Sequence, residues 1–447
     1  MSADSVDAGA VRDACDRLRE VGPALATRGW RELAGLLGRV GGRFLDPGDP
    51  LRREALDRLP EDAGISPELA EDVLDGMARD WTTERLIRLV QEEFADPACL
   101  DGFTRGRAGS VRASDGVGER ELMAFGPSLC VQIVSGSVPG VGVNALLRSL
   151  LLKAPTLVKP GRGDVLLTRL FARGLDEADV EVGGALAVLY WPGTDSEVTR
   201  EAIEQADVVT LYGSDATLGA VRAMAPPTTR VVGYHHREGV AIIGRDDLSG
   251  ERADDAALGT ARAVAIFDQR GCVCPRLVYV ERGGDVGPAE FAGKLADALR
   301  QIEGQWPTPA LPPEESVAIQ QLRGVAELAA ATGSGELWHG GPDASWTVVY
   351  EEEEVPAAPP VTGRGIRVRP IGDASELPAL LEPLGPHLQS VGHAGFGARL
   401  DPLVVALGRM GASRVVPLGS MSFPDAWWLH DGRGPLRELV RWVEVER

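Results

Sequence analysis

The stretch ALAVLYWPGTDSEVTREAIEQADVVTLYGSDATLGAVRAMAP, residues 185–226, decides the fold class because its apolar pattern changes along its length. Short apolar runs at residues 185–190 and 207–212 predict buried β-strands. Each run is followed by a segment with apolar residues at helical spacing, Ser196–Gln205 and Asp215–Met224. Strands that alternate with helices at this spacing indicate βαβ units and therefore a parallel sheet.

The length of the whole chain indicates more than one domain. The chain contains 447 residues, more than one compact core usually holds. We predict a helical N-terminal region followed by βαβ units over residues 1–245, and a second α/β domain over residues 246–420. The aromatic-rich tail predicts a C-terminal arm over residues 421–447 that returns to the first domain or to a partner subunit. A core-packed terminal helix is the alternative for the tail.

The composition argues against several classes of function. The formal net charge is −20, so the surface as a whole repels nucleic acid and anionic membranes, and we expect neither as a partner. No apolar run reaches the length of a membrane span, and residues 1–20 lack the features of a secretory signal. Five cysteines without a C-x-x-C pair argue against a disulfide framework and a zinc site. We therefore expect a cytoplasmic protein with reduced thiols and no bound metal.

A glycine-rich turn after a predicted strand is the first candidate for binding a dinucleotide. Residues 140–145, GVGVNA, match the fingerprint G-x-G-x-x-[GA], and Asp164 stands about where a ribose-binding acid is expected. However, Gly136 and Pro139 make the turn longer than this fingerprint requires. The alternative is that residues 135–139, SGSVP, form a polar turn that faces a reaction centre.

The ends of two further predicted strands offer contacts for the same kind of ligand, because ligands bind at the carboxyl ends of strands in open parallel sheets. Lys159 can reach ribose hydroxyls or a phosphate there, and Arg162 can pair with a 2′-phosphate. A solvated basic turn is the alternative. Gly213 and Ser214 precede a predicted helix, whose first N–H groups suit a phosphate, although Ser214 or Asp215 can equally serve as the helix cap.

The stretch FDQRGCVCPRLVYVE, residues 267–281, is the candidate for covalent chemistry. It places Cys272 and Cys274 one residue apart, after Gly271, which leaves room for a substrate. A nucleophilic cysteine needs thiolate character, access and positive potential, and the backbone N–H groups of such a turn can provide that potential. The alternative is a pair of buried, unreactive cysteines, which is the commoner state of free thiols.

Taken together and in order, these motifs resemble the aldehyde dehydrogenase superfamily, and more closely its acyl-CoA reductase branch, the LuxC-type fatty acyl reductases. The resemblance extends from about residue 126 to the C-terminus. The segments that carry it are S-G-S-V-P-G-V from Ser135, L-V-K-P from Leu157, Y-W-P-G from Tyr190, D-Q-x-G-C from Asp268, V-V-P-L-G from Val415 and H-D-G-R-x-P-L from His430. It implies an aldehyde-dehydrogenase-like α/β fold: a parallel-sheet dinucleotide-binding domain, a second α/β catalytic domain and a small oligomerisation arm. A homo-oligomer is therefore expected.

The resemblance also implies a chemistry. In the family a cysteine attacks an acyl thioester, here on CoA or on an acyl-carrier protein, and a nicotinamide then reduces the acyl-enzyme to an aldehyde. LuxC-type enzymes have this nucleophile directly after the Gly or Ala of D-Q-x-G-C, which is Cys272. The spacing of the oxidising aldehyde dehydrogenases places it at Cys274 instead. We assign Cys272 as the nucleophile, and Cys274 as a neighbour that packs against it or forms a link with it. Arg162 beside Lys159 favours NADPH, with NADH as the alternative.

Two positions depart from the family pattern. Oxidising relatives have a Glu that activates water, but the matching segment VVGYHHREGVAII has no clear equivalent, and Glu238 is out of phase. This loss suits a reductase, whose acyl-enzyme must survive water. His235 or His236 can protonate the aldehyde oxygen or the leaving thiol, or be no more than hydrogen-bonded strand residues. Ser137 stands where the family usually has an Asn that donates to the oxyanion.

The acidic run at residues 351–354 falls where the superfamily has a Glu that orients the nicotinamide ribose, and we take Glu352 as the candidate among the four. The function predicted from all these residues is NAD(P)H-dependent reduction of an acyl thioester to an aldehyde through a cysteinyl acyl-enzyme. The alternatives are a non-catalytic member that binds a dinucleotide or a carrier protein within a larger complex, which Ser137 keeps open, and an oxidising aldehyde dehydrogenase.

Overall fold

The computed structural model describes residues 6–105, 120–341, 345–353 and 363–446. Helices and strands alternate along most of the chain. The α-helices are α1 (Ala8–Ala26), α2 (Trp30–Gly42), α3 (Pro50–Ala63), α4 (Pro67–Ala78), α5 (Thr83–Glu93), α6 (Val141–Leu151), α7 (Val165–Ala178), α8 (Val180–Gly184), α9 (Ser196–Gln205), α10 (Asp215–Met224), α11 (Gly250–Ala265), α12 (Pro288–Gln305), α13 (Pro313–Ala331), α14 (Leu377–Leu381) and α15 (Leu400–Met410). The β-strands are β1 (Thr104–Arg105), β2 (Arg120–Phe125), β3 (Cys130–Ile133), β4 (Thr156–Lys159), β5 (Leu186–Val188), β6 (Val208–Tyr212), β7 (Arg230–Tyr234), β8 (Glu238–Ile243), β9 (Pro275–Glu281), β10 (Gly335–His339), β11 (Thr347–Glu351), β12 (Gly365–Ile371), β13 (Leu388–Ala394), β14 (Arg414–Pro417) and β15 (Arg441–Glu446).

These elements form two compact units, and neither unit is continuous in sequence. Unit 1 consists of Met1–Ala63, Leu74–His235 and Asp425–Arg447, and unit 2 consists of Gly64–Val73 and His236–Pro424. The assignment of dinucleotide binding to the first part of the chain and of catalysis to the second stays a prediction.

Unit 1 contains a five-stranded parallel sheet with the strand order β5-β4-β3-β6-β7. All four residues of β3 and of β4 are buried, as expected for strands in the middle of a parallel sheet. Helix α1 closes one side: its Val11, Cys15 and Leu18 pack in one apolar cluster with strand residues of this sheet. The strand order reverses at β3, and ligands of open α/β sheets bind outside the carboxyl ends of the strands at such a point.

The tail of the chain completes a second sheet in unit 1, which is antiparallel and has the order β1-β2-β15. β15 pairs with every residue of β2, from Arg441 opposite Phe125 to Glu446 opposite Arg120. The tail therefore ends in a strand, and the alternative of a terminal helix is wrong. Strand pairing explains this outcome, because β2 has an open edge that the tail satisfies.

Side chains anchor the tail in unit 1 as well. The buried Glu93 carboxylate accepts hydrogen bonds from the backbone N–H groups of Leu436 and Arg437, at 3.0 and 3.1 Å. The Trp427 ring lies against the guanidinium groups of Arg85 and Arg88, 4.2 and 4.3 Å from the ring centroid. These contacts account for part of the aromatic content of the tail.

Unit 2 is built on a seven-stranded sheet with the order β10-β11-β12-β9-β8-β13-β14. β10 is antiparallel to β11, and the other neighbours are parallel. Apolar clusters cover both faces: α11 and α12 contribute to one cluster, and α14 and α15 to the other. The second α/β region predicted from the sequence corresponds to this unit, which also includes β8, and the cysteine stretch leads into its β9 strand. None of the helices in the described residues combines the length and the apolar character that a membrane span requires.

Candidate active site

The polar turn after β3 carries Ser137 and lies at the carboxyl end of the parallel sheet in unit 1. Ser137 is exposed, and its hydroxyl lies 2.9 Å from that of Ser135. The backbone N–H of Ser137 also donates to Ser135 Oγ, at 3.2 Å. The turn is therefore ordered by its own side chains. Whether Ser137 binds an oxyanion stays a prediction.

This turn interlocks with the turn that follows β4, which carries Arg162. A Cβ on Gly136 would lie 1.6 Å from the carbonyl oxygen of Arg162, and a Cβ on Gly161 would lie 2.2 Å from the backbone N of Gly136. Only glycine allows backbones to approach this closely. The structure thus brings Ser137 and Arg162, two of the predicted site residues, to adjoining turns at the same edge of the sheet.

Asp164 has a different role from the one that the dinucleotide fingerprint gave it. It is fully buried, and its two carboxylate oxygens accept hydrogen bonds from the backbone N–H groups of Gly140 and Gly142, each at 2.6 Å. Burial raises its pKa to about 8, and the two backbone donors limit that rise. The fingerprint interpretation is wrong, because the carboxylate cannot reach a ribose and it occupies the N–H groups that a pyrophosphate would need.

Lys159 ends β4 as a largely buried cation. It is 9% exposed, and its Nζ lies 6.0 Å from the centroid of the Tyr190 ring. Burial lowers its pKa, because the charged form is less well solvated there. No ion pair compensates Lys159 within the residues that the structure describes. A buried ammonium group without a carboxylate partner is suited to an anionic ligand.

Gly213 and Ser214 lie between β6 and α10, as predicted. Ser214 caps α10, because its hydroxyl accepts the backbone N–H of Thr217 at 3.2 Å. Asp215, in the first turn of this helix, lies 3.4 Å from His235 Nδ1. A carboxylate at a helix N-terminus competes with any phosphate for the same positive end of the helix dipole. The cap interpretation is confirmed, and phosphate binding here stays a prediction.

In unit 2, Cys272 lies on a tight turn that leads into β9. Of the five cysteines, all within the described residues, it alone is partly exposed, and the other four are buried. The turn is closed by a hydrogen bond from the backbone N–H of Cys274 to the carbonyl of Gly271, at 3.1 Å. Accessibility thus favours Cys272 over Cys274 as the reactive thiol.

The residues before this turn adopt an unusual backbone conformation. Phe267, Asp268 and Gln269 have φ angles of 55°, 47° and 60°, in the left-handed region that residues with a Cβ rarely adopt. Each such residue costs about 1 kcal/mol or more, and such conformations cluster at functional sites. The Gln269 amide supports them by donating to the carbonyls of Pro275 and Gly365, at 2.9 and 2.5 Å. The D-Q pair of the motif is thus the strained part of the segment.

Cys274 is buried at the start of β9. Its thiol donates to the carbonyl oxygen of Ile266 at a distance of 3.4 Å, and burial raises its pKa to about 12. A thiol with this pKa forms almost no thiolate near neutral pH. Its surroundings are those of a packing residue beside Cys272.

The remaining candidates lie at other strand ends of unit 2. His236 Nε2 lies 3.3 Å from a carboxylate oxygen of Glu238 at the start of β8. At the end of β11, Glu351 is buried against Arg369, whose Nε donates to it at 2.8 Å. Glu352 is more exposed, and it contacts Arg282 and the Tyr350 hydroxyl. Glu352 and Glu353 have the exposure that a cofactor contact requires, Glu351 does not, and Glu354 lies outside the described residues.

The sequence did not reveal two residues that shape these turns. Asp164 was visible only as part of a fingerprint, and its hydrogen bonds to the Gly140 turn depend on the tertiary structure. Arg364, which contacts Asp268, is separated from it by 96 residues and belongs to no motif. Its neighbour Gly363 and its own positive φ of 57° mark a special backbone position, but this is visible only in three dimensions.

Comparison with solved structures shows that the chain has the fold of the aldehyde dehydrogenases. An NAD-dependent benzaldehyde dehydrogenase from Corynebacterium glutamicum superposes with a TM-score of 0.72 at 14% identity, over 99% of this chain and 91% of that one. Aldehyde dehydrogenase 21 from Physcomitrella patens superposes with a TM-score of 0.73 at 14% identity, with the same coverage of both chains. The fold predicted from the sequence is therefore confirmed.

The family follows from the sequence comparison. The family model described as acyl-CoA reductase (LuxC) matches residues 31–442, and the chain therefore belongs to this family. It is similar to the long-chain acyl-protein thioester reductase of Aliivibrio fischeri, 24% identical over 333 residues. It is also similar to the enzyme of that name from Vibrio harveyi, 22% identical over 334 residues. Each match covers 74% of this chain and 66% of the relative, so the chain spans just under two thirds of the length of these relatives.

Proposed function

We propose that the protein reduces an acyl thioester to an aldehyde with a nicotinamide dinucleotide. The observation that carries this proposal is the state of Cys272, the one partly exposed thiol of the five, on a strained turn ahead of β9. Members of its family and the relatives described above are named as reductases of acyl-CoA or of acyl-protein thioesters. A single reactive cysteine is what an acyl-transfer step to the enzyme requires.

In the proposed reaction, the thiolate of Cys272 attacks the carbonyl carbon of the thioester. The carbon–sulfur bond of the substrate breaks, the released thiol takes up a proton, and the acyl group stays on Cys272 as a new thioester. A bound dinucleotide supplies the hydride that turns this acyl group into an aldehyde. Release of the aldehyde returns Cys272 as the thiolate. His236 precedes β8, whose Gly239 pairs with Pro275 at the start of β9, just after the Cys272 turn. We therefore propose His236 as the source of the proton for the leaving thiol.

Residues of unit 1 fit the dinucleotide. Lys159 is a buried cation without an ion pair in the described residues. A phosphate would compensate its charge, and ribose hydroxyls would accept its hydrogen bonds. Arg162 is exposed on the interlocked turn next to it, and we propose a 2′-phosphate as the partner of its guanidinium group, which is the reason to propose NADPH over NADH. Glu352 in unit 2 is the proposed contact of the nicotinamide ribose.

The residues around the β7–β8 connection favour reduction over aldehyde oxidation. An oxidising enzyme needs a carboxylate that activates water to release the acyl group as an acid. The connection contains His235 and His236 instead, and the two carboxylates beside it, Asp215 and Glu238, are each in contact with one of these histidines. An acyl-enzyme in such a site is protected from hydrolysis, which preserves it for reduction.

A thioester assay with a mass-spectrometric arm tests the proposal. The protein is incubated with long-chain acyl-CoA or with acyl-carrier protein, and an acyl adduct on Cys272 is expected without a dinucleotide. With NADPH or NADH present, nicotinamide absorbance is expected to fall as aldehyde forms. The Cys272→Ala variant is expected to lose both signals, and the matched Cys274→Ala variant is expected to keep them.

Three results would contradict the proposal. An adduct that persists in Cys272→Ala and disappears in Cys274→Ala would mean that the nucleophile is Cys274. Dinucleotide binding without an adduct from either thioester would indicate a non-catalytic binding protein, the outcome that Ser137 in the place of Asn keeps open. Formation of acid from aldehyde and NADP⁺ would indicate an oxidising enzyme.

A further inference from the structure

Four of the six non-glycine residues with a positive φ in the described chain belong to one cluster in unit 2. They are Phe267, Asp268, Gln269 and Arg364, and the first three are consecutive. A run of three left-handed residues is not stable by itself, because each Cβ crowds the following carbonyl. Surrounding contacts must therefore hold this segment in place.

The main such contact is an ion pair that is almost completely removed from solvent. Nε and Nη2 of Arg364 lie 2.8 and 2.7 Å from the same carboxylate oxygen of Asp268, and the two side chains are each 1% exposed. Arg364 is fixed in turn by its Nη1, which donates to the carbonyl of Trp306 at 2.6 Å and to Glu303 at 3.0 Å. One oxygen of the Asp268 carboxylate is thus held by a guanidinium group that is itself fixed by two further contacts.

Stability alone does not explain this arrangement. The desolvation of a buried ion pair largely cancels its attraction, so an apolar pair of similar volume is often as stable. A buried ion pair does, however, specify one geometry, because losing the alignment leaves an unpaired charge in the interior. Burial raises the pKa of Asp268, and Arg364, with Arg270 further away, opposes this rise by stabilising the charged form.

We propose that Asp268 and Arg364 are positioning residues for Cys272, which lies four residues after Asp268 on the turn that the left-handed segment begins. The ion pair fixes the left-handed backbone, Gln269 joins this backbone to β9 and β12, and the thiol is thereby held in one orientation for attack. The expected effect on catalysis rests on the proposed function, whereas the expected orientation of the thiol does not.

The experiment compares Asp268→Asn and Arg364→Met with the conservative variant Arg364→Lys. The matched control is Arg399→Gln, which disturbs another ion pair of unit 2, since Arg399 Nη1 lies 2.7 Å from the buried Glu281. Two properties are measured: the rate at which iodoacetamide alkylates Cys272, followed by peptide mass spectrometry, and kcat and KM for thioester reduction.

For Asp268→Asn and Arg364→Met, kcat is expected to fall about a hundredfold while KM for the dinucleotide is unchanged, because a small misplacement of the nucleophile has this effect. Alkylation of Cys272 is expected to become faster, because the relaxed turn exposes the thiol. Arg364→Lys is expected to recover part of kcat, and the control is expected to match the wild type in both measurements.

Unchanged kcat and unchanged alkylation in folded Asp268→Asn and Arg364→Met proteins would overturn the proposal. If these single variants do not fold, the double variant Asp268→Leu/Arg364→Met removes both charges and replaces them with apolar volume. Its recovery of wild-type kcat would equally overturn the proposal, and a low kcat in a folded double variant would support it. If the wild type reduces no thioester, the proposed function fails, while alkylation of Cys272 still decides the positioning role.

Discussion

Arg162 is the residue that decides the proposed preference for NADPH. Its backbone is fixed, because its carbonyl oxygen is packed against Gly136, while its side chain is exposed and forms no ion pair among the described residues. A charge-assisted hydrogen bond of this kind contributes about 1.5–3 kcal/mol. Arg162→Gln is therefore expected to raise KM for NADPH about tenfold or more and to leave KM for NADH unchanged.

The control for this measurement is Arg169→Gln, which removes another exposed arginine, on α7. It is expected to have the same KM values as the wild type for both dinucleotides. Equal changes in the two KM values for Arg162→Gln would show that this arginine binds a part that both cofactors share, and the assignment to a 2′-phosphate would then be wrong.

Single residues were predictable from the sequence where they belong to a motif of a few consecutive residues. Lys159 ends a short apolar run and Cys272 precedes one, and the structure places them at the end of β4 and on the turn before β9, although their roles stay predictions. Asp164 and Arg364 act through contacts with residues 22 and 96 positions away, to Gly142 and Asp268. Nothing in their neighbouring sequence indicates such contacts, because the fold alone brings the partners together.

The start of α6 depends on the carboxyl group of Asp164, which the turn after β4 supplies. With its pKa raised from 3.8 to about 8, Asp164 holds a proton in the folded protein that the unfolded chain releases at neutral pH. Its contribution to the free energy of unfolding is fully present below pH 4 and is lost as the pH rises towards 8. Between pH 5 and 8, the difference in this free energy between wild type and Asp164→Asn is expected to fall, by at most about 1.4 kcal/mol per pH unit.

Chemical denaturation at several pH values measures this difference. Asp195→Asn is the matched control, because Asp195 caps α9 by accepting the N–H of Val198 at 3.2 Å but is only partly buried. Its difference from the wild type over the same range measures the part of the pH dependence that helix capping in general contributes. If the difference in the free energy of unfolding between wild type and Asp164→Asn does not change with pH, the pKa of Asp164 is not raised in the folded protein. The two backbone donors would then fully compensate the burial of the ionised carboxylate.

At the level of elements, the helices were predicted best. The bounds of α9 and α10 agree with the prediction from periodicity, and both begin at polar caps that the sequence displays. The strands are shorter than predicted: residues 185–190 contain β5, which covers only Leu186–Val188. An apolar run shows that a segment is buried, but the pairing with its neighbour decides where the strand ends.

Unit 1 is built from segments that lie far apart in the sequence, so its stability depends on the C-terminal residues. Without residues 425–446, β2 loses β15, and Glu93 loses its two backbone donors. Hydrogen bonds to a charged group contribute about 1.5–3 kcal/mol each, and the lost strand pairing adds to this. A fragment of residues 1–235 is therefore expected to melt about 10 °C below the same fragment joined through a Gly-Ser linker to residues 425–446.

A short linker can join residue 235 to residue 425, because residues near these two ends are in contact: the Tyr234 and His430 rings are stacked with their centroids 4.3 Å apart. Circular dichroism during heating gives both melting temperatures. Equal values would mean that the tail contributes nothing to the folding of unit 1. An intermediate value for the joined fragment with Glu93→Gln would separate the contribution of the carboxylate from that of the strand.

For the whole molecule, the sequence indicated the α/β class and the presence of two regions, but not how the chain divides between the units. Periodicity describes each segment on its own, so it gave no reason for residues 64–73 to join unit 2. The return of the tail was predicted only in outline, because strand pairing between β2 and β15 depends on residues more than 300 positions apart.

The place of β15 in the chain has a consequence for protein synthesis. Ribosomes add about 5–20 residues per second, so the roughly 200 residues between His235 and Arg441 need about 10–40 s. During this interval, β2 of the nascent chain presents an unpaired edge, which is a template for association with other chains. Unit 1 begins to emerge first and is completed last, so its yield in the cell depends on the translation speed of unit 2 and on chaperones that cover this edge.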